Sequence, residues 1–137
     1  MLHLPVFVYG TLKQGECREP CWPRRPVRVV EATILGRLYD LGEYPALVEG
    51  GFTIAGELWR FEADDLPETL QVLDRIEWYT GGGLDLYTRR VIDCTAPAEM
   101  VQAYTYFFAH PEQIADRPVI SPGEDGRCVW TGCARSK

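Results

Sequence analysis

Residues 6–16 read Val6-Phe7-Val8-Tyr9-Gly10-Thr11-Leu12-Lys13-Gln14-Gly15-Glu16. A run of apolar and aromatic residues stops abruptly at a glycine, and a second glycine follows at position 15. A short continuous run of this kind predicts a strand over Val6–Tyr9 that is buried on both faces. The segment Tyr9–Leu12 then forms the loop at the strand's end. It carries no charged side chain before Lys13, so what it can offer a ligand is backbone. The spacing Gly10-x4-Gly15 copies the start of a phosphate-binding loop. However, Glu16 and Cys17 stand where lysine and a hydroxyl residue belong, which inverts the charge that a phosphate needs.

Further strands follow. ATILGRLYDL, residues 32–41, reads as one, ended by a turn at Gly42-Glu43-Tyr44-Pro45. TIAGELWRF, Thr53–Phe61, reads as another, with Gly56 near its centre as a sign of a bulge or a close backbone approach. Tyr87–Cys94 and Val101–Phe108 alternate well enough to be two more. Residues 16–28 read as loop, and the last thirty, rich in proline and glycine, as irregular. One helix is signalled. Asp65 is placed to cap it, Pro67 fits the first turn and Glu68 completes a capping-box pattern. It is expected to run through Tyr79 and to stop at Gly81-Gly82-Gly83.

On a wheel of about 100° per residue, Leu66, Leu70 and Leu73 form the inward stripe of this helix. Val72 and Ile76 broaden it, while Glu68, Gln71 and Arg75 fall away. Glu77 falls among the leucines, in the last turn, beside Trp78 and Tyr79. Burial there disfavours the charged carboxylate, and the negative end of the helix dipole acts in the same direction. A carboxyl group with a raised pKa suits proton transfer near neutral pH. The competing reading is a glutamate that reaches water at a fraying helix end or pairs with an arginine.

The chain has 137 residues, 46% of them hydrophobic and 25% charged, which fits a single domain with one core. Its net charge of -6 and pI of about 4.9 argue against nucleic-acid or anionic-membrane partners. No apolar run approaches about 18 residues, and the N-terminal stretch lacks a basic region, so a cytoplasmic location is expected. The five cysteines are Cys17, Cys21, Cys94, Cys128 and Cys133. Free thiols are the simplest reading in a reducing compartment, and a zinc site built from Cys17, Cys21, Cys128 and Cys133 is the alternative that their spacing allows. Histidine chemistry is thin: only His3 and His110 occur, and a Cys–His pair such as Cys94 with His110 is the kind of nucleophilic arrangement they allow.

The ordered set of motifs resembles the gamma-glutamylcyclotransferase-like family, its bacterial and gamma-glutamylamine branches most closely. The set comprises Tyr9-Gly10-Thr11-Leu12, Gly36-Arg37-Leu38-Tyr39-Asp40-Leu41-Gly42 with Tyr44-Pro45-Ala46-Leu47, Gly56-Glu57-Leu58-Trp59, Leu73-Asp74-x-x-Glu77 and Tyr87-x-Arg89. It spans residues 6–108. The chain departs from the family after about 110, and Trp78 replaces the usual glycine after the helix's glutamate. The resemblance implies an α+β fold, a small closed and mostly antiparallel barrel with short flanking helices, as one domain over 1–137 with an irregular tail. It also implies a reaction. The α-amine of a gamma-glutamyl small molecule attacks its own γ-carbonyl, releasing 5-oxoproline and an amine or amino acid, with no cofactor and no metal. By the same resemblance, Glu77 moves the proton. Tyr9, Gly10, Thr11 and Leu12 present backbone N–H groups to the glutamyl carboxylate or to the developing oxyanion, and Tyr9, Tyr87 and Tyr106 wall the cavity. For Tyr87 and Tyr106, core packing with a satisfied hydroxyl is the rival reading. For the whole chain, the rival is a non-catalytic small-molecule binding protein on the same fold.

Overall fold

The computed structural model describes residues 3–77 and 85–131. The apolar run at the start forms β1, Val6–Val8, and all three residues are buried. Burial on both faces has a topological cause. The strand pairs antiparallel with β3 (Pro45–Arg60) on one side and parallel with β5 (Glu99–Phe108) on the other. The sheet order β1-β5-β4-β2-β3, with β3 returning to β1, closes a five-stranded mixed barrel. Here β2 is Arg28–Asp40 and β4 is Tyr87–Ala96. A two-residue β6, Arg127–Cys128, adds to the outer edge of β3.

Two hairpins make up most of the wall. In the first, β2 and β3 pair from Arg28 opposite Arg60 down to Asp40 opposite Pro45. The turn between them contains Gly42 at φ 98°, and its N–H donates to Asp40 Oδ1. Strand β3 therefore begins eight residues before the expected Thr53. Glu49-Gly50-Gly51 reads locally as a break, but the partner strand continues past it. The ladder absorbs the three residues as a bulge, between Gly36 opposite Phe52 and Arg37 opposite Val48. The close approach expected at Gly56 is found: a Cβ there would collide with the carbonyl oxygen of Val8 and lie 2.5 Å from Phe7 Cζ, at the end of the β1–β3 pairing.

The helix α1, Leu66–Ile76, is laid over the barrel by Leu66, Leu70 and Leu73, which are buried together with Val6, Val8, Trp59 and Phe108. The other side of β1 feeds a second cluster built on Phe7, Ile34, Leu38, Leu58 and Phe107. The capping box does not form. Asp65 is helical in its backbone (φ -87°, ψ -20°) and makes no side-chain cap bond. Instead Arg24 draws both carboxylates away, with Nη2 2.6 Å from Glu68 and Nε 3.8 Å from Asp65. The expected extension through Tyr79 and the Gly81–Gly83 stop lie outside the described residues. Beyond residue 110 there is little regular structure, yet Ile114, Cys128 and Trp130 are buried against the barrel. Among the described residues no helix is long and apolar enough to cross a membrane.

Candidate active site

Where β1 ends, the chain turns at residues 9–12 and is held through its carbonyl groups. The Gly10 carbonyl accepts from the Lys13 N–H (3.1 Å), and the Thr11 carbonyl from the Arg18 N–H (2.8 Å). The Leu12 carbonyl accepts from Trp22 Nε1–H (2.9 Å). Trp22 is itself clamped, stacked on Trp59 with ring centres 4.2 Å apart. Among the described residues the N–H groups of Gly10, Thr11 and Leu12 meet no acceptor. Three neighbouring amide donors are thus left over, an arrangement suited to a carboxylate or an oxyanion. Glycine at position 10 has a packing reason that the sequence does not disclose. A Cβ there would sit 2.8 and 2.9 Å from Cγ and Cδ of Pro45.

Glu77 caps the C-terminus of α1, its N–H bonded to the Leu73 carbonyl at 2.9 Å. Its side chain is only 16% exposed. Burial pushes its carboxyl group up to about 7, and the nearby Arg18 guanidinium pulls the other way. Arg18 Nη1 lies 3.8 Å from Glu77 Oε2. Trp78 and Tyr79, expected beside it, lie outside the described residues.

Glu77 and the turn share one cavity of about 110 Å³. Its lining includes every residue that the sequence put forward: Tyr9, Gly10, Thr11, Leu12, Glu77, Tyr87 and Tyr106. It also includes Arg18, Tyr44, Pro45 and Thr105, with Phe7, Val8, Ile76 and Leu86 as apolar wall. The tyrosine hydroxyl protons are committed to the protein. Tyr9 donates to the Tyr106 carbonyl (2.7 Å), Tyr87 to the Pro45 carbonyl (3.0 Å) and Tyr106 to Asp74 Oδ1 (2.6 Å). The two readings of Tyr87 and Tyr106 therefore coexist: each hydroxyl is satisfied, and each residue lines the cavity. Burial is the main force raising all three phenol pKa values, and the charge of Glu77 adds to it. Ionised tyrosines are thus disfavoured beside this carboxylate.

Two further residues support the site. Asp74, one turn before Glu77, accepts from Tyr106 and from Arg89 Nη1 (2.7 Å). It ties the last turn of α1 to β4 and β5. Its spacing from Glu77 on one helix face was the available signal. Arg18 had none, since nothing in the sequence separates it from Arg24, Arg25 and Arg28.

The Cys94–His110 arrangement falls away. Cys94 pairs with Val101, while His110 lies beyond the opposite end of the same ladder, where Tyr87 pairs with Phe108. At about 3.3 Å per residue the two stand roughly 20 Å apart. The Cys94 thiol is also buried, which pushes its pKa up to about 12. Cys17 and Cys21 are exposed and Cys128 is buried, while Cys133 lies outside the described residues. Among the described residues no group of three or more His, Cys, Asp or Glu side chains is arranged to hold a metal.

A family model described as gamma-glutamyl cyclotransferase, AIG2-like matches residues 6–130. The chain belongs to this family. The gamma-L-glutamyl-butirosin B gamma-glutamyl cyclotransferase of Niallia circulans is 38% identical over 79 residues, 57% of this chain and 48% of that protein. A relative from Vibrio cholerae serotype O1 is also 38% identical, over 85 residues and 64% of its own length. The chain thus spans between about half and just under two thirds of these curated relatives. An AIG2-like protein from Mus musculus has the same fold, with a TM-score of 0.66 at 19% identity over 98% of this chain and 97% of that one. As a gamma-glutamyl cyclotransferase family member, the chain carries a closed barrel that the solved mouse structure shares.

Proposed function

We propose that the protein converts a gamma-glutamyl compound to 5-oxoproline, with release of an amine or amino acid. The observation that carries this reading is the meeting, around one cavity, of Glu77 and three backbone amides that meet no acceptor among the described residues. The family membership supports it.

The reaction is intramolecular. Glu77, as carboxylate, takes a proton from the substrate's α-ammonium group. The freed amine attacks the γ-carbonyl carbon, a carbon–nitrogen bond forms, and the carbonyl oxygen becomes an oxyanion. Glu77 then gives the proton to the departing nitrogen as the oxyanion collapses and the original amide bond breaks, and the ring nitrogen gives up its second hydrogen to the released amine. A pKa of about 7 serves both halves, because neither protonation state is far from reach near neutral pH. The Gly10–Leu12 amides bind the substrate carboxylate or the oxyanion. The nucleophile is already tethered to its electrophile. What remains for the protein is to hold the folded conformer and shuttle one proton, so the reading needs no cofactor.

The test is incubation of the protein with a panel of gamma-glutamyl amino acids and gamma-glutamyl amines, with 5-oxoproline as the readout. Formation of 5-oxoproline that is lost in Glu77→Gln supports the proposal. Binding of these compounds without 5-oxoproline from any of them would overturn it in favour of a non-catalytic binding protein.

A further inference from the structure

The cavity has one basic side chain among its described lining residues, and the turn that would hold the glutamyl group does not use it. Arg18 Nη1 stands 3.8 Å from Glu77 Oε2, which is an ion-pair distance but too long for a hydrogen bond. Among the described residues nothing else accepts from the Arg18 guanidinium. Among those residues its five N–H donors meet no hydrogen-bond acceptor. Its side chain is 41% exposed, against 16% for Glu77, so it reaches solvent more than the carboxylate does.

Its backbone is not loose. The Arg18 N–H is bonded to the Thr11 carbonyl, and the Cys21 N–H to the Arg18 carbonyl. The arginine and the amide donors of residues 10–12 thus belong to one hydrogen-bonded unit. Glu77 lies beside the arginine and must meet the amide nitrogen that leaves. A group carried by that nitrogen is then within reach of Arg18, 3.8 Å from the same carboxylate.

Resting on the cyclotransferase reading, we infer that Arg18 selects substrates whose leaving group bears an anion close to the departing nitrogen. A gamma-glutamyl amino acid meets that requirement through its free carboxylate, which a guanidinium binds with paired N–H donors. A gamma-glutamyl alkylamine leaves the guanidinium unmatched. A leaving group with a cation next to the nitrogen is repelled.

The experiment compares gamma-glutamylglycine with gamma-glutamylmethylamine, which share the glutamyl part and differ by the leaving group's carboxylate. 5-Oxoproline release is measured for the parent, Arg18→Met and Arg18→Lys. The parent is expected to favour the glycine compound by about 10- to 100-fold in kcat/KM, mostly through KM. Arg18→Met should bring that ratio toward one, whatever change both substrates share, and Arg18→Lys should restore part of it. If Arg18 only tunes Glu77, both substrates lose equally in Arg18→Met and the acid limb of both pH profiles moves up together. That result would overturn the inference and leave cyclotransfer standing, as would equal rates for the two substrates in the parent. No 5-oxoproline from either compound, or from the wider panel, would remove the cyclotransferase reading and this inference with it.

Discussion

Glu77 sits where a carboxylate is expensive. Its pKa rises from an ordinary value near 4.5 to about 7 because the fold prefers the neutral form. Below its unfolded pKa the group is protonated in both states and has no net effect. As pH rises from there through the folded pKa, the ionised side chain is increasingly better solvated in the unfolded chain, and stability is lost. At about 1.4 kcal/mol per pKa unit the cost above pH 7 is on the order of 3 kcal/mol. Glu77→Gln is therefore expected to raise the melting temperature at pH 8 and to change it little at about pH 4, by thermal unfolding. Turnover should fall roughly 10²–10⁴-fold in the same variant, the usual loss for a proton-transfer group. In the parent, kcat/KM should decline as pH drops below about 7, since the free protein must offer the carboxylate. Gly10 calls for a different test. Because a Cβ at this position meets Pro45 first, Gly10→Val would report on packing as much as on ligand approach. Gly10→Ala is expected to cost about 1–3 kcal/mol by chemical denaturation and to weaken 5-oxoproline binding in calorimetry. Thr11→Ser keeps the backbone donors and should bind as the parent does.

The helix α1 carries its glutamate into the site only because its last turn is tied down. Local capping plays little part at the other end, where Arg24 outcompetes the helix for Asp65 and Glu68. At the C-terminal end, Asp74 bonds Arg89 on β4 and Tyr106 on β5 within 2.7 Å. Asp74→Ala removes the acceptor and leaves two donors without it, so a loss of about 1–3 kcal/mol is expected, tempered by the pair's partial exposure. Tyr106→Phe removes one bond and should cost about 1 kcal/mol. Both variants should lower kcat more than they raise KM, because the displaced group is the proton carrier and not the amide turn. Steady-state kinetics beside urea titrations separate the two effects. A second element-level device is the Trp22–Trp59 stack, which secures the segment between the turn and β2 that contains Arg18.

For the whole molecule, the decisive contact is the antiparallel pairing of β1 with β3 that closes the barrel. Gly56 makes it possible, since any side chain would drive into the Val8 carbonyl and the Phe7 ring. Gly56→Ala is expected to cost at least about 1–3 kcal/mol or to prevent folding, because the obstruction includes backbone. Gly51→Ala, in the bulge of the same strand with nothing within 4 Å, should stay within about 0.5 kcal/mol of the parent. Equilibrium unfolding of the two variants side by side makes the comparison.

Much of this was legible along the chain. The buried strand at Val6, the four strands after it and the apolar stripe of Leu66, Leu70 and Leu73 follow from periodicity and turn signals, because a strand and a helix bury their faces with different periods. The misplaced glutamate at position 77 was visible by the same rule, and Tyr9, Gly10, Thr11, Leu12, Tyr87 and Tyr106, which the family resemblance put forward, line one cavity with it. Barrel closure was not legible, because the pairing of β1 with β3 and with β5 joins segments far apart in sequence. Neither was the early start of β3, where the partner strand overrides a local Glu-Gly-Gly break. Asp74 and Arg18 acquire their partners only when α1, β4, β5 and the 12–22 segment meet. A helical period can place a charged side chain on a face but cannot name its partner, which is whichever opposite charge the fold brings within reach.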